Sequence, residues 1–263
     1  MNVGKYVAMG MADVLENVSY VWNQLLQAAF IGVIIWVFLQ IWTAVYAGKP
    51  TIEGFTMTQM LWYLAFAEVL LNTTGNDFIE KIGTEVKNGT IGMYLLRPMH
   101  YLGREFSVLL INFIYGYLTL GVVAFIITYA LVGALPVTIT SLLFIVPILL
   151  LAAAMSFLIV MALGLSSFWF EDASSTYFIY QKIVFILGGM LMPLDMYPAW
   201  LQPALQYLPT TFMMYLPAKL FVHFSMDQFV YVLVGQLIWI VIILVILLLV
   251  YRAGVKEVTV HGG

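Results

Sequence analysis

The segment from Trp239 to Val250, WIVIILVILLLV, decides the fold class, because one tryptophan is followed only by aliphatic side chains. A helix that is apolar on every side has no face to present to water, so a lipid bilayer is the environment that it fits. The surrounding segment, 229–251, has the length of about 20 apolar residues that a membrane-spanning helix needs. The sequence therefore predicts a span near the C-terminal end.

The composition extends this conclusion to the whole chain. Of the 263 residues, 63% are hydrophobic and 9% are charged. Soluble domains are about half apolar and about a quarter charged. The absence of cysteine excludes disulfides, thiolate metal sites and cysteine nucleophiles. The formal net charge of -3 argues against nucleic-acid binding, which needs a concentrated basic surface.

Six apolar segments predict an all-α, polytopic membrane protein with six transmembrane helices in one transmembrane domain over residues 1–263. The predicted spans are 22–46, 57–73, 106–132, 139–168, 176–191 and 229–251. Aromatic residues such as Trp22 and Tyr46 stand at the ends of the first span, where the membrane interfaces are expected.

Three segments outside the spans have a character of their own. Residues 1–20 have helical apolar spacing and predict an interfacial helix in the headgroup plane, with a frayed soluble tail as the alternative. Residues 74–105 form a long inner loop that carries much of the charge. Residues 192–228 contain five prolines among apolar residues, which predicts short re-entrant helices in the outer leaflet.

The basic residues predict the orientation of the chain. If the N-terminus is cytoplasmic, seven basic residues fall inside and two, Lys49 and Lys219, fall outside. This bias follows the positive-inside rule, so both termini are expected in the cytoplasm. The inner residues are Lys5, Lys81, Lys87, Arg97, Arg104, Arg252 and Lys256.

The inner loop holds a predicted amphipathic helix from Asp77 to Lys87. Phe78, Ile82 and Val86 recur every four residues and form an apolar ridge, which Ile79 joins. Gly89 is expected to end the helix in the left-handed conformation. A short helix with an apolar ridge suits docking in the groove of a partner protein, and the alternative is an interfacial helix that lies on lipid without a partner.

Motifs of common membrane enzymes are missing. Lys5 and Lys49 are the lysines that follow a glycine, and neither precedes the serine or threonine that a nucleotide-binding P-loop requires. The three histidines lie outside the predicted spans, so an intramembrane serine protease would have no histidine base there. We therefore expect no catalytic residue, no metal site and no directly bound cofactor.

Two ionisable residues, Glu68 and Lys182, lie within predicted spans. Charges inside a membrane are costly and indicate a functional site. Lys182 has an alternative explanation, since its long side chain can snorkel to the inner headgroups. Glu68 is expected either to pair with Lys182 or to face a wet cavity, and a proton-driven carrier would usually show more such groups.

Two stretches of the sequence resemble the permease subunits of ABC-2-type ATP-binding-cassette exporters, and specifically the small six-span ABC-2 family transporter proteins. The first runs from Glu85 to Ile91 and on to the Leu95–Pro98 segment. The second begins at Phe168–Asp172, continues through Gly188–Leu201 and ends near Pro217. With the six-span layout, the resemblance covers essentially the whole chain.

The resemblance implies roles for both connectors. The inner loop would carry the coupling helix that docks on the ATPase, and the outer segment would form a gate. The coupling residues implied by position are Ile79, Glu80, Ile82, Glu85, Val86, Lys87, Gly89, Arg97 and Pro98. The outer-gate residues implied by position are Pro193, Leu194, Pro198, Trp200, Pro209 and Pro217.

The resemblance also implies partners and a location. The expected unit contains a second permease chain, as a homodimer or heterodimer, and separate ATP-binding-cassette ATPase subunits that use the ATP. The expected location is the cell inner (cytoplasmic) membrane, in contact with its lipid. In this hypothesis the first, second and fifth spans line the path. The alternatives are a non-transporting membrane scaffold and an ion-coupled secondary carrier.

Overall fold

The computed structural model describes residues 3–19, 21–73, 77–96, 100–137, 139–170 and 173–261. The structure is 84% helical, without strands in the described part. The helices are α1 (Val3–Ser19), α2 (Val21–Tyr46), α3 (Met57–Thr73), α4 (Asp77–Lys87), α5 (Thr90–Leu95), α6 (Tyr101–Val132), α7 (Ile139–Leu165), α8 (Ala173–Leu187), α9 (Gln202–Leu205), α10 (Leu216–Val222) and α11 (Met226–His261). A π-helical turn, Thr211–Tyr215, leads directly into α10.

Four of these helices are long and apolar enough to cross a membrane. Their apolar parts are Gln24–Tyr46, Tyr101–Val132, Ser141–Phe168 and Met226–Lys256. The chain is therefore an all-α, multi-pass membrane protein. The second and fifth predicted spans correspond to α3 and α8, which have 17 and 15 residues. These helices are shorter than the usual span of about 20 residues, so the total of six spans stays a prediction.

Two spans are longer than predicted. Helix α6 begins at Tyr101, five residues before the predicted start, and α11 continues ten residues beyond the predicted end to His261. At 32 and 36 residues they are about 48 and 54 Å long. Because the hydrocarbon core is about 30 Å thick, both helices project beyond it. The projecting part of α6 carries Arg104 and Glu105.

The core is centred on α7, which packs closely against α11. A Cβ atom on Gly235 would overlap the ring of Phe212, and one on Gly254 would overlap the ring of Phe168. A side chain larger than hydrogen at either position would therefore push α11 away from these two rings. The buried Gln236 Nε2 donates to the carbonyl oxygens of Ile148, at 3.2 Å, and Phe212, at 3.0 Å. This amide joins α11 to α7 and to the outer segment.

The N-terminal helix α1 lies along the start of α6. Tyr6 contacts α6 at Gly103, and Asp13 accepts a hydrogen bond from Asn112. The apolar residues Val7, Met11 and Leu15 remain exposed on the other side of α1. This apolar stripe is what an interfacial helix needs, and its placement in the headgroup plane stays a prediction.

Candidate functional site

The inner helix α4 is packed against the protein's own spans. Ile79 and Ile82 are fully buried, and Gly164 of α7 lies directly against them. A Cβ atom on Gly164 would stand 2.7 Å from the Cβ atom of Ile82. The prediction that the apolar ridge docks in a partner's groove is therefore wrong for Ile79 and Ile82. The ridge is buried because α7 offers a closer apolar surface within the same chain.

The opposite side of α4 is the side that a partner can reach. Glu80, Thr84 and Lys87 are exposed there, and Val86 is half-buried. Gly89 has a φ of 68°, which confirms the predicted left-handed end of this helix. The other two implied coupling residues, Arg97 and Pro98, lie outside the described residues.

A buried carboxylate ties α4 to α6. Glu105 is fully buried in α6, and its Oε2 accepts a hydrogen bond from Lys81 Nζ of α4 at 3.0 Å. Arg104 Nη1 lies 2.8 Å from Glu105 Oε1 as an ion pair. The Arg104 guanidinium also stands 4.2 Å from the centroid of the Tyr94 ring in α5. This inner cluster of Lys81, Tyr94, Arg104 and Glu105 connects three helices.

A second contact joins the same helices. The hydroxyl of Tyr101, at the start of α6, donates to Glu85 Oε2 of α4 at 2.7 Å. Burial raises the pKa of the Glu85 carboxyl above its usual value of 4.5, and the hydrogen bond from Tyr101 opposes this shift. Glu85, which the resemblance assigns to coupling, therefore points towards α6.

The outer segment folds back into the protein. Gly189, with a φ of 77°, makes the turn after α8, and its carbonyl oxygen accepts a hydrogen bond from the buried Tyr63 of α3. The two implied gate residues that follow, Pro193 and Leu194, are buried. The prediction of short helices here is confirmed, since α9, the π-helical turn and α10 all lie between 192 and 228.

A charged cluster fixes the outer segment to itself. Asp195 Oδ1 accepts a hydrogen bond from Lys219 Nζ at 2.6 Å, and its Oδ2 accepts one from the Tyr215 hydroxyl at 2.7 Å. Lys219 also donates to the Tyr215 hydroxyl at 2.9 Å. These three residues span 24 positions of the chain, so the outer cluster closes the segment into a unit.

The remaining implied gate residues divide into two sets. Pro198 and Trp200 are exposed, and 78% of Trp200 is accessible. Pro209 is half-buried, and Pro217 is buried in the first turn of α10. Proline fits that position because the first turn of a helix leaves its N–H groups without intrahelical partners.

Three cavities follow one another along α2. The inner cavity, about 340 Å³, includes Gln24, Gln27 and Lys81. The middle cavity, about 440 Å³, shares Gln27 with the inner one and reaches Phe38. The outer cavity, about 750 Å³, shares Phe38 and continues to Val45 and Asp195. From Gln24 to Val45 the helix rises about 31 Å, the thickness of a hydrocarbon core.

The middle cavity contains both residues that were predicted as intramembrane charges. Glu68 of α3 and Lys182 of α8 line it, together with residues of α2. The ion pairs among the described residues do not include one between these two side chains. Of the two expectations for Glu68, the structure supports a cavity and not a pair with Lys182.

The inner and outer clusters contain residues that sequence reasoning did not assign to a site. Glu105 received no role, and Arg104, Lys219 and Lys81 were used only for topology. The sequence did hold a signal for Glu105, since this acid stands beside Arg104 at the start of an apolar run. For Asp195 the signal was an acid within a proline-rich apolar segment, but its distant partner could not be inferred.

Comparison with known proteins agrees with this architecture. The family model described as ABC-2 family transporter protein matches residues 15–262. A comparison with curated proteins gives no match.

Proposed function

We propose, because this chain belongs to the ABC-2 transporter family, that it is the membrane-spanning permease subunit of an ATP-driven exporter. The chain is a multi-pass membrane component, not itself the ATPase. In this proposal separate ATPase subunits bind and hydrolyse ATP at the inner face. A second permease chain completes the path, and both termini lie on the cytoplasmic side of the inner membrane.

The stack of cavities along α2 carries this proposal. It extends between the inner helix α4 and the outer segment. The walls of its middle cavity come from α2, α3 and α8, whereas α4 and α6 contribute to the inner cavity and the outer segment contributes to the outer cavity. The lining of the middle cavity supports the proposal that the first, second and fifth predicted spans line a path. A scaffold subunit has no need of polar groups at mid-membrane depth, which are costly in lipid.

The packing of α4 supports a coupling role. A force applied to its exposed side reaches α7 through the buried Ile79 and Ile82, and reaches α6 through Lys81 and Glu105. ATP binding shifts a conformational equilibrium only if it favours one of the two states. In the proposed mechanism, closure of the ATPases moves α4, and the inner cluster transmits this movement to the spans.

The experiment is purification of the tagged full-length chain from its native membrane, followed by reconstitution with the ATPase that it retains. We expect ATP hydrolysis by the complex. Charge reversal on the exposed side of α4, by combining Glu80→Lys with Lys87→Glu, should release the ATPase. The chain itself should stay folded, because both residues are exposed.

The matched control is Glu53→Lys, an exposed acid outside α4, which should leave the complex intact. Transport by the purified chain in vesicles without any ATPase would contradict the proposal and favour an ion-coupled carrier. A stable complex that neither hydrolyses ATP nor moves a substrate would favour the scaffold alternative.

A further inference from the structure

Glu68 has one carboxylate oxygen without a partner. Its side chain is 3% exposed, and its Oε1 accepts a hydrogen bond from Asn72 Nδ2 at 2.9 Å. The other oxygen, Oε2, is buried and has no hydrogen-bond partner among the described residues. A buried acceptor without a donor destabilises the folded state, because it has lost its hydrogen bonds to water without replacement. A carboxylate placed in this way is complementary to a ligand that donates a hydrogen bond.

Lys182 lines the same cavity from the other side. It is exposed, and its ammonium nitrogen lies 4.9 Å from the centroid of the Phe178 ring. The described ion pairs include neither Lys182 nor Glu68. The cavity wall therefore contains an acid and a base that are not ion-paired with each other.

The rest of the cavity wall combines apolar and amide side chains. Phe30, Ile34 and Phe185 supply the apolar contacts, and Gln27 and Gln181 supply polar groups. The volume of about 440 Å³ is in the range that binds small organic molecules. A ligand that fits this wall has a polar head and an alkyl chain.

We propose that the middle cavity binds a single-chain amphiphile whose head group carries a primary ammonium and a phosphate. The ammonium donates to Glu68, the phosphate pairs with Lys182, and the alkyl chain contacts Phe30, Ile34 and Phe185. This inference rests on the proposed function, since it names the substrate class of the same path. The ligand would approach from the inner cavity, which shares Gln27 and Asn72 with the middle one.

The test measures binding of radiolabelled probes to the purified full-length chain in nanodiscs, without ATP or an ATPase. Three probes have the same alkyl chain: a lyso-phosphatidylethanolamine with both charges, a lysophosphatidic acid with phosphate only, and an alkylamine with ammonium only. Free phosphoethanolamine, which has the head group without the chain, is the fourth. We expect saturable binding that is tightest for lyso-phosphatidylethanolamine and weakest for free phosphoethanolamine.

Two variants assign each charge to its residue. Among the three chain-bearing probes, Glu68→Gln should weaken the two that carry an amine about tenfold and leave lysophosphatidic acid unchanged, since a charged hydrogen bond is lost. Among the same three probes, Lys182→Gln should weaken the two that carry a phosphate by a similar factor and leave the alkylamine unchanged. Asp227→Asn, which removes an exposed acid outside the cavity, is the control and should change no affinity.

The proposal is overturned if all three chain-bearing probes bind equally, if free phosphoethanolamine binds as tightly as the lipid, or if either variant affects all probes alike. Because Lys182 is exposed, its variant reports on the site even if Glu68→Gln fails to fold. If the binding proposal is overturned but the complex still transports another substrate with ATP, the proposed function stands. Conversely, probe binding with the expected pattern in a chain that never retains an ATPase would overturn the proposed function alone.

Discussion

At the scale of single residues, Glu105 has the most consequential environment. It is fully buried, and it interacts with Lys81 of another helix and with its neighbour Arg104. Removal of one member of a buried ion pair leaves the other charges without compensation. The residue therefore stabilises the position of α4 relative to α6 as long as its charge is kept.

We expect Glu105→Gln to destabilise the protein by about 2–3 kcal/mol, somewhat less than a fully buried pair because Lys81 is partly exposed. Thermal unfolding of the full-length chain in detergent measures this effect. The control is Glu80→Gln, since Glu80 is exposed on the same inner helix. Equal unfolding temperatures for the two variants would show that the inner cluster does not hold α4 in place.

Glu85 gives a pH dependence with a defined sign. Its pKa in the folded protein is raised above 4.5, mainly by burial, so the folded state holds its proton more tightly than the unfolded state does. The free energy of unfolding therefore falls as the pH rises above about 4.5, and this fall ends once the pH has passed the folded-state pKa of the carboxyl. Glu85→Gln should remove this loss.

As the pH rises from about 4.5, the unfolding temperature of Glu85→Gln should consequently increase relative to that of the wild-type protein. The glutamine can still accept the hydrogen bond from Tyr101. Thermal unfolding over a pH series checks this, and a difference that is constant with pH would contradict it.

At the scale of helices, the contact between α4 and α7 depends on a glycine. A Cβ atom on Gly164 would lie 2.7 Å from the Cβ atom of Ile82, which is closer than packed side chains come. Because Ile82 Cβ is adjacent to the backbone of α4, relief of this overlap requires the whole helix to move. The position of the proposed coupling surface on α4 therefore depends on Gly164 having no side chain.

We predict that Gly164→Ala displaces α4 and costs about 1–3 kcal/mol of stability, as overpacking of a core does. The rate of ATP hydrolysis per folded complex should also fall, which a loss of stability alone would not cause. Gly121→Ala is the matched control, because a Cβ atom there meets its nearest neighbours at an ordinary 3.8 Å. Equal stability and activity of the two variants would contradict the prediction.

At the scale of the whole molecule, the proposed path predicts that the surfaces along the three α2 cavities face water. The chain contains no cysteine, so single cysteines introduce unique labelling sites without further change. We expect Ile34→Cys and Val45→Cys to react with a membrane-impermeant maleimide in the assembled transporter. Val241→Cys, on an exposed apolar part of α11, should not react because lipid covers it. Equal labelling of all three positions would contradict the proposed path.

Cysteine labelling also tests the orientation of the chain in the membrane. Lys87→Cys, at the exposed end of α4, should react only when the inner face is accessible, and Lys49→Cys only from the outer face. Labelling of intact cells compared with inverted vesicles measures both. The reverse pattern would place the coupling helix outside and would exclude docking of a cytoplasmic ATPase.

The sequence by itself determined the features that depend on local composition and periodicity. The apolar run of 239–250 required a bilayer, and α3 coincides with the predicted segment 57–73. The helix from Asp77 to Lys87 and its left-handed end at Gly89 also followed from the sequence, since spacing and glycine chemistry act over one or two turns.

Only the tertiary structure decided which surface each side chain faces and which distant residues meet. The apolar spacing of α4 could not distinguish a partner's groove from α7, because the hydrophobic effect is not directional and either surface removes Ile79 and Ile82 from water. Likewise, Asp195 and Lys219 are 24 positions apart, and Glu68 and Lys182 meet at a cavity through the packing of three helices. Sequence specifies such charges, but distances of a few ångströms between helices arise only from the packing of the whole chain.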